Sequence, residues 1–171
     1  MFEKILVPVD GSPHCKHAIE KAVELARCHG ASVFLLHVIR DFSLPKEILE
    51  MMQAGEITAS REQILRDSAE IILGNARQRF ESAGVSDITT ECLMGDPASK
   101  ILEYAAEQGV DLIVIGHRGL GPTSGLLGSV ARKLVNMTDV SVLAPQPGPT
   151  IASGTPVNPA PPGLPRTEHP A

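Results

Sequence analysis

The chain has 171 residues, 43% of them hydrophobic and 20% charged, with a formal net charge of −5. That length buries the core of one ordinary domain. The acidic balance and an aromatic content of 3% exclude the expectation of nucleic acid as partner, since that needs clustered Lys and Arg or exposed stacking rings. No apolar run approaches the roughly 18 residues of a membrane span, so the bilayer is excluded as well.

Met1 to Val7 leads directly into a strand without a charged leader and apolar stretch, so no signal peptide is expected. Cys15, Cys28 and Cys92 are odd in number and lack a CxxC spacing, which predicts reduced thiols in a cytoplasmic protein. Lys4 to Val9 is the first predicted strand. Ser12 then stands at an N-cap with Pro13 at the first helical position, and apolar residues recur at helical spacing until Gly30 closes the helix. Ser32 to Ile39 is a second strand, almost continuously apolar, as a strand covered on both faces should be.

Residues 40–59 contain Pro45 and Gly55 and read as a long loop with one short helix. Ser60 to Ala83 predicts a long helix whose apolar stripe is Ile64, Leu65, Ile71, Ile72, Ala76 and Phe80. Ile88 to Leu93 is a more polar third strand, expected at a sheet edge. Asp96 and Pro97 open a helix that runs to Gln108, and Asp111 to Ile115 is strand four. Gly128 to Met137 forms the next helix and Val140 to Leu143 a short fifth strand.

Strands alternating with helices this regularly predict an α/β fold: an open, mainly parallel, five-stranded, doubly wound, Rossmann-like sheet with helices on both faces. Ligands of such sheets sit beyond the carboxyl ends of the strands where strand order reverses, which singles out the loops after strands one and four. The last 27 residues hold nine of the fourteen prolines. One domain at 1–144 and a disordered or polyproline-like tail at 145–171 are therefore expected. The P-x-x-P spacing of Pro162 and Pro165 reads as solvated linker.

Gly116-His117-Arg118-Gly119 follows the fourth strand, and Gly128-Ser129 opens the next helix. A glycine-rich turn at that place gathers backbone N–H groups at the positive end of the helix dipole, a seat for phosphate. It is neither of the two common nucleotide loops. No Gly-Lys pair exists for a P-loop, and the first strand ends in Val7-Pro8-Val9-Asp10-Gly11 without GxGxxG. His14 and His17 have no CxxC, HExxH or fixed carboxylate beside them, so they read as solvent-facing histidines beside core cysteines, and no metal site is expected. His37 reads as a satisfied core residue. Asp10-Gly11 has a plain reading as a tight turn, and Asp10, Ser12 and His14 as parts of a capping turn, not a catalytic triad.

Over residues 1–144 the sequence resembles the universal stress protein family. The likeness rests on KILVPVDGS at 4–12, LLHV at 35–38, GDPA at 95–98, and DLIVIGHRG at 111–119 with Gly128-Ser129 beyond it. It implies the adenine nucleotide α-hydrolase-like version of the fold. The ATP-binding branch of that family carries G-x2-G-x9-G-[ST], and the resemblance implies ATP with Mg²⁺ as ligand. By the same resemblance, Pro8, Val9 and Asp10 meet adenine and ribose, and Val38 meets adenine through its backbone. Gly116 and Gly119 contact ribose and α-phosphate, Gly128, Ser129 and Val130 hold the outer phosphates, and Arg118 adds charge. The spacer Leu120 to Leu127 has eight residues, one fewer than in the pattern.

No positioned general base is visible near the loop, so a stress-response regulatory protein with little or no catalysis is expected, not an enzyme. The resemblance also implies a homodimer through the fifth strand, which Pro145 ends, and action on a protein partner. Two other readings stay open. One is a homologue that keeps the fold and dimer surface without the nucleotide, which the short spacer favours. The other is an ATP-using transferase, whose SGGxxS-type loop Asp10-Gly11-Ser12-Pro13 does not supply.

Overall fold

The computed structural model describes residues 1–40, 46–55, 60–118 and 127–146. In chain order the elements are β1 (Lys4–Pro8), α1 (Pro13–His29), β2 (Ser32–Ile39), α2 (Lys46–Gln53), α3 (Arg61–Ser82), β3 (Ile88–Met94), α4 (Pro97–Gln108), β4 (Leu112–Val114), α5 (Ser129–Met137) and β5 (Ser141–Leu143). The strands form one sheet in the order β3-β2-β1-β4-β5, with every neighbouring pair parallel. From β1 the chain steps outward through β2 to β3, then returns to β4 on the other side of β1. The reversal point therefore lies between β1 and β4, where a ligand crevice is expected.

Alternation along the strands sends side chains to two cores. Ile5 and Val7 of β1, Val33 and Leu35 of β2, and Leu112 and Val114 of β4 face Ala18, Ala22 and Ala26 of α1 and Leu73, Ala76 and Phe80 of α3. Leu6, Leu36 and Ile113 face the other way, against Ile101, Tyr104 and Ala105 of α4 and Ala131 and Leu134 of α5. Burial on both faces is why the central strands read as unbroken apolar runs.

The caps at Ser12 and Asp96 form as the sequence predicts, and Ser60, expected as the first helical residue, is a third. The Ser12 hydroxyl accepts from the Cys15 N–H at 3.2 Å, Ser60 accepts from Gln63 N–H at 3.2 Å, and Asp96 accepts from Ser99 N–H at 3.1 Å. Gly30 and Gly109 close α1 and α4 in the left-handed region. β3 lies at the sheet edge, and one short helix, α2, interrupts residues 40–59. The stripe of α3 differs from expectation at Ile71, which is 65% exposed. Consecutive helical residues point about 100° apart; Ile72 takes the inward direction against Gly11, and Ile71 is left outside. Residues 147–171, most of the predicted tail, lie outside the described residues.

Phe80 is fully buried where the last turns of α3 meet the sheet. Phe80→Ala is expected to lower the unfolding free energy by about 3–5 kcal/mol. Urea titration should show a lower midpoint at an unchanged slope, because surface exposure on unfolding is nearly the same.

Candidate functional site

A cleft of about 440 Å³ opens at the carboxyl ends of β1, β2 and β4. Pro8, Val9 and Asp10 reach it from β1, Val38 from β2, Gly116 and Arg118 from the turn after β4, and Gly128, Ser129 and Val130 from the start of α5. The predicted site residues thus converge, apart from Gly119, which lies outside the described residues together with 120–126 of the spacer. Sequence reasoning missed His37 and Arg40 at the end of β2 and Leu65 and Ser68 of α3, which also line the cleft. The α3 residues carry no sequence signal, because their place depends on how that helix crosses the sheet.

At Gly116 the close approach is steric. A Cβ there would stand 3.0 Å from the Arg118 carbonyl oxygen and 3.2 Å from both the Cys15 nitrogen and the His14 carbonyl carbon, all backbone atoms. β4 therefore needs glycine at its exit to pass the first turn of α1. Asp10 is both turn and lining residue. One carboxylate oxygen accepts from the Ser12 N–H at 2.9 Å, and Gly11 follows at φ +74°.

α5 begins without a side-chain cap. Gly128 is its N-cap and donates its own N–H to the His117 carbonyl at 2.6 Å, while its carbonyl accepts from Arg132. The N–H groups of Ser129, Val130 and Ala131 find no acceptor among the described residues. Beside them lies Arg118, half-buried, whose Nε is sealed from solvent and has no partner among the described residues. An uncapped helix start next to an unpartnered guanidinium is a positive, donor-rich pole.

The histidines depart from expectation. His14 is half-buried, with its ring edge-to-face on that of His117 at 4.7 Å and 82°. His117 is buried and its Nδ1 has no partner among the described residues. Burial, then the neighbouring His14, Arg118 and His17, hold its pKa below the ordinary histidine value, against an opposing contact with the Pro145 backbone. His37 is half-buried at the cleft instead of sealed in the core, and its Nδ1 lies 2.7 Å from the Val9 carbonyl oxygen. Of the cysteines predicted as core, Cys15 is buried and Cys28 exposed. Burial pushes the Cys15 thiol up to about 11, so it lines the cleft as an unreactive apolar group. Among the described residues no three His, Cys, Asp or Glu side chains cluster as a metal site, and no helix is long and apolar enough to cross a membrane.

The model of the universal stress protein family matches residues 1–144. The chain is 35% identical over 147 residues to the universal stress protein YxiE of Bacillus subtilis (strain 168), spanning 84% of this chain and 98% of that one. Among solved structures it is similar to the universal stress protein UspA from Lactobacillus plantarum, at TM-score 0.66 and 27% identity over 85% and 98% of the two chains. It is also similar to a universal stress protein in complex with cAMP, at TM-score 0.60 and 25% identity over 84% and 95%.

His117 gives the site a pH dependence whose sign follows from its depressed pKa. The folded state favours the neutral ring, so its contribution is complete above about pH 6.5, the ordinary value, and is lost as pH falls below it. Urea unfolding at about pH 7.5 and about pH 5.5 should show a smaller acid loss for His117→Phe than for wild type. Equal losses would mean that this ring is not a source of the acid sensitivity.

Proposed function

The chain belongs to the universal stress protein family, and from that premise we propose that it binds adenine nucleotide, ATP with Mg²⁺, in the cleft between β1 and β4. The observation that carries this reading is the open N-terminus of α5 beside Arg118, whose buried Nε has no partner among the described residues. The helix start and the Arg118 side chain both line that cleft with positive character, and a nucleotide polyphosphate is an anion that uses both. The cAMP complex of a related fold supports an adenine ligand for this one.

In this reading the apolar ends of β1 and β2, at Pro8, Val9 and Val38, receive the base, and the free oxygen of Asp10 takes a ribose hydroxyl. Gly116 and Gly119 adjoin ribose and α-phosphate. The N–H groups of Ser129 and Val130 share the outer phosphates with Arg118, and Gly128, its own N–H held by His117, brings the backbone close beneath them. Bound Mg²⁺ supplies neutralisation of the phosphate charge. The protein acts as a nucleotide-responsive regulator with little or no turnover. Asp10 is the one carboxylate among the described cleft residues, and its committed oxygen leaves it poorly placed as a base.

A second observation bears on assembly. β5 pairs with β4 alone, and Val135, Met137 and Leu143 near it are exposed by 53%, 67% and 36%. An edge strand flanked by exposed apolar side chains needs covering, and we propose a second copy of this chain as the cover, in a cytoplasmic homodimer that presents the nucleotide state to a protein partner. A member that keeps this surface and lacks the ligand is the alternative; the eight-residue spacer favours it.

Calorimetric titration should detect ATP binding, and Arg118→Ala should weaken it about tenfold or more while adenosine is unaffected, because a charge-assisted bond is worth about 1.5–3 kcal/mol. No heat with millimolar-range ATP, together with no nucleotide released on denaturing the purified protein, would turn the conclusion to the alternative. Light scattering at micromolar concentration is expected to give twice the 18.2 kDa chain mass; a monomer mass contradicts the β5 dimer.

A further inference from the structure

The regular ladder between β1 and β2 ends at the pair Pro8 and Leu36, and one more backbone bond, from the Val9 N–H to the Leu36 carbonyl at 2.8 Å, extends it. Beyond that point a side chain takes over. His37 reaches across to the Val9 carbonyl with its Nδ1 at 2.7 Å. A carbonyl oxygen can only accept, so Nδ1 carries the proton. In the neutral ring this leaves Nε2 without a proton, as a hydrogen-bond acceptor. Nε2 has no partner among the described residues, and the side chain is half-buried, with part of its surface open. The ring lines the cleft beside Val9 and Val38.

We infer that His37 is a specificity-determining residue of the cleft: the bond to Val9 fixes its tautomer, and its Nε2 accepts a hydrogen bond from a donor group of the bound nucleotide. The inference rests on the nucleotide reading above. The chemistry it names is a ligand N–H or O–H, which in an adenine nucleotide is either the 6-amino group of the base or a ribose hydroxyl. A 6-oxo purine offers an acceptor at the same place and would leave two acceptors opposed, which a polar pocket penalises. The same ring also holds Val9, and through it the following Asp10, against β2 at the point where the backbone ladder has run out.

The test uses the full chain and two variants. His37→Asn places an amide N–H close to where Nδ1–H stood and has nothing at the position of Nε2; His37→Leu removes both. Calorimetry is run with ATP, ITP, 2′-deoxy-ATP and 3′-deoxy-ATP. Wild type should discriminate against one of the three analogues by about two- to tenfold, the worth of a neutral hydrogen bond. His37→Asn should weaken ATP by a similar factor, abolish that one discrimination, and keep the wild-type melting temperature. Loss against ITP assigns the donor to the base, and loss against a deoxy analogue assigns it to the sugar. Nitrogen-15 NMR of the imidazole should report Nδ1–H in the free protein and a shifted Nε2 resonance on adding ATP.

An Nε2–H tautomer, or a His37→Asn variant that binds all four ligands as wild type does, overturns the inference and leaves nucleotide binding standing. A melting temperature lowered by His37→Leu with every discrimination retained overturns it too, since the residue is then only a strut. Wild type that binds none of the four overturns the nucleotide reading itself, and this inference with it.

Discussion

Everything the cleft does depends on how closely the exit of β4 passes the first turn of α1. Gly116 runs against the backbone of His14 and Cys15 at distances where a Cβ would stand 3.0–3.2 Å from three backbone atoms. The third atom is the Arg118 carbonyl oxygen of the same turn, and the two from His14 and Cys15 cannot move aside without shifting the Ser12-capped start of α1. Glycine at this place lets the exit of β4 and the start of α1 flank the reversal point of the sheet, so that Asp10 from β1 and the start of α5 share one opening. Gly116 thus has a purely steric reason to exist, and the same steric fact creates the site. Packing and binding are one constraint here, not competing explanations.

The helix starts show how the fold distinguishes support from function. α1, α3 and α4 each carry a side-chain cap from Ser12, Ser60 and Asp96, which satisfies an N–H that would otherwise be orphaned. Such caps are worth about 1 kcal/mol each. In contrast to these, α5 begins with Gly128, which contributes no side chain, and its first residues line the cleft. α5 is anchored elsewhere, by the fully buried Leu134 and by the ion pair from Lys133 to Asp96 at 3.6 Å. That exposed pair adds little by itself, but it ties the uncapped helix to the capped start of α4.

Most of this architecture was legible in the residues because local chemistry dictates it. Ser12-Pro13, Asp96-Pro97 and Gly30 mark helix ends by capping and by left-handed backbone, and strands buried on both faces announce themselves as apolar runs. The convergence of Val9, Val38, Gly116 and Ser129 was legible too, since parallel topology places their loops at one end of the sheet. What stayed hidden depends on tertiary approach. Nothing local says that Ile72 rather than Ile71 meets Gly11, that His14 packs edge-to-face on His117, or that Leu65 and Ser68 of α3 reach the cleft. His37 was misread for the same reason: an apolar strand suggests a core residue, and only the spacing between β1 and β2 shows its ring bridging to Val9.

The charge of the chain and the charge of the cleft have opposite signs, and the contrast narrows the ligand. With a formal net charge of −5, the molecule as a whole repels long polyanions. At the cleft, Arg118, Arg40 and the start of α5 outweigh the single carboxylate of Asp10 among the described lining residues. Burial first, and then the neighbouring His14 and Arg118, hold the His117 pKa below its ordinary value behind the cleft. A small anion that enters the opening feels the local field fully, while a surface-spanning polyanion meets the acidic exterior. That contrast of size and sign is what the proposed nucleotide reading draws on: a compact polyphosphate with an apolar end would match both the local field and the ends of β1 and β2.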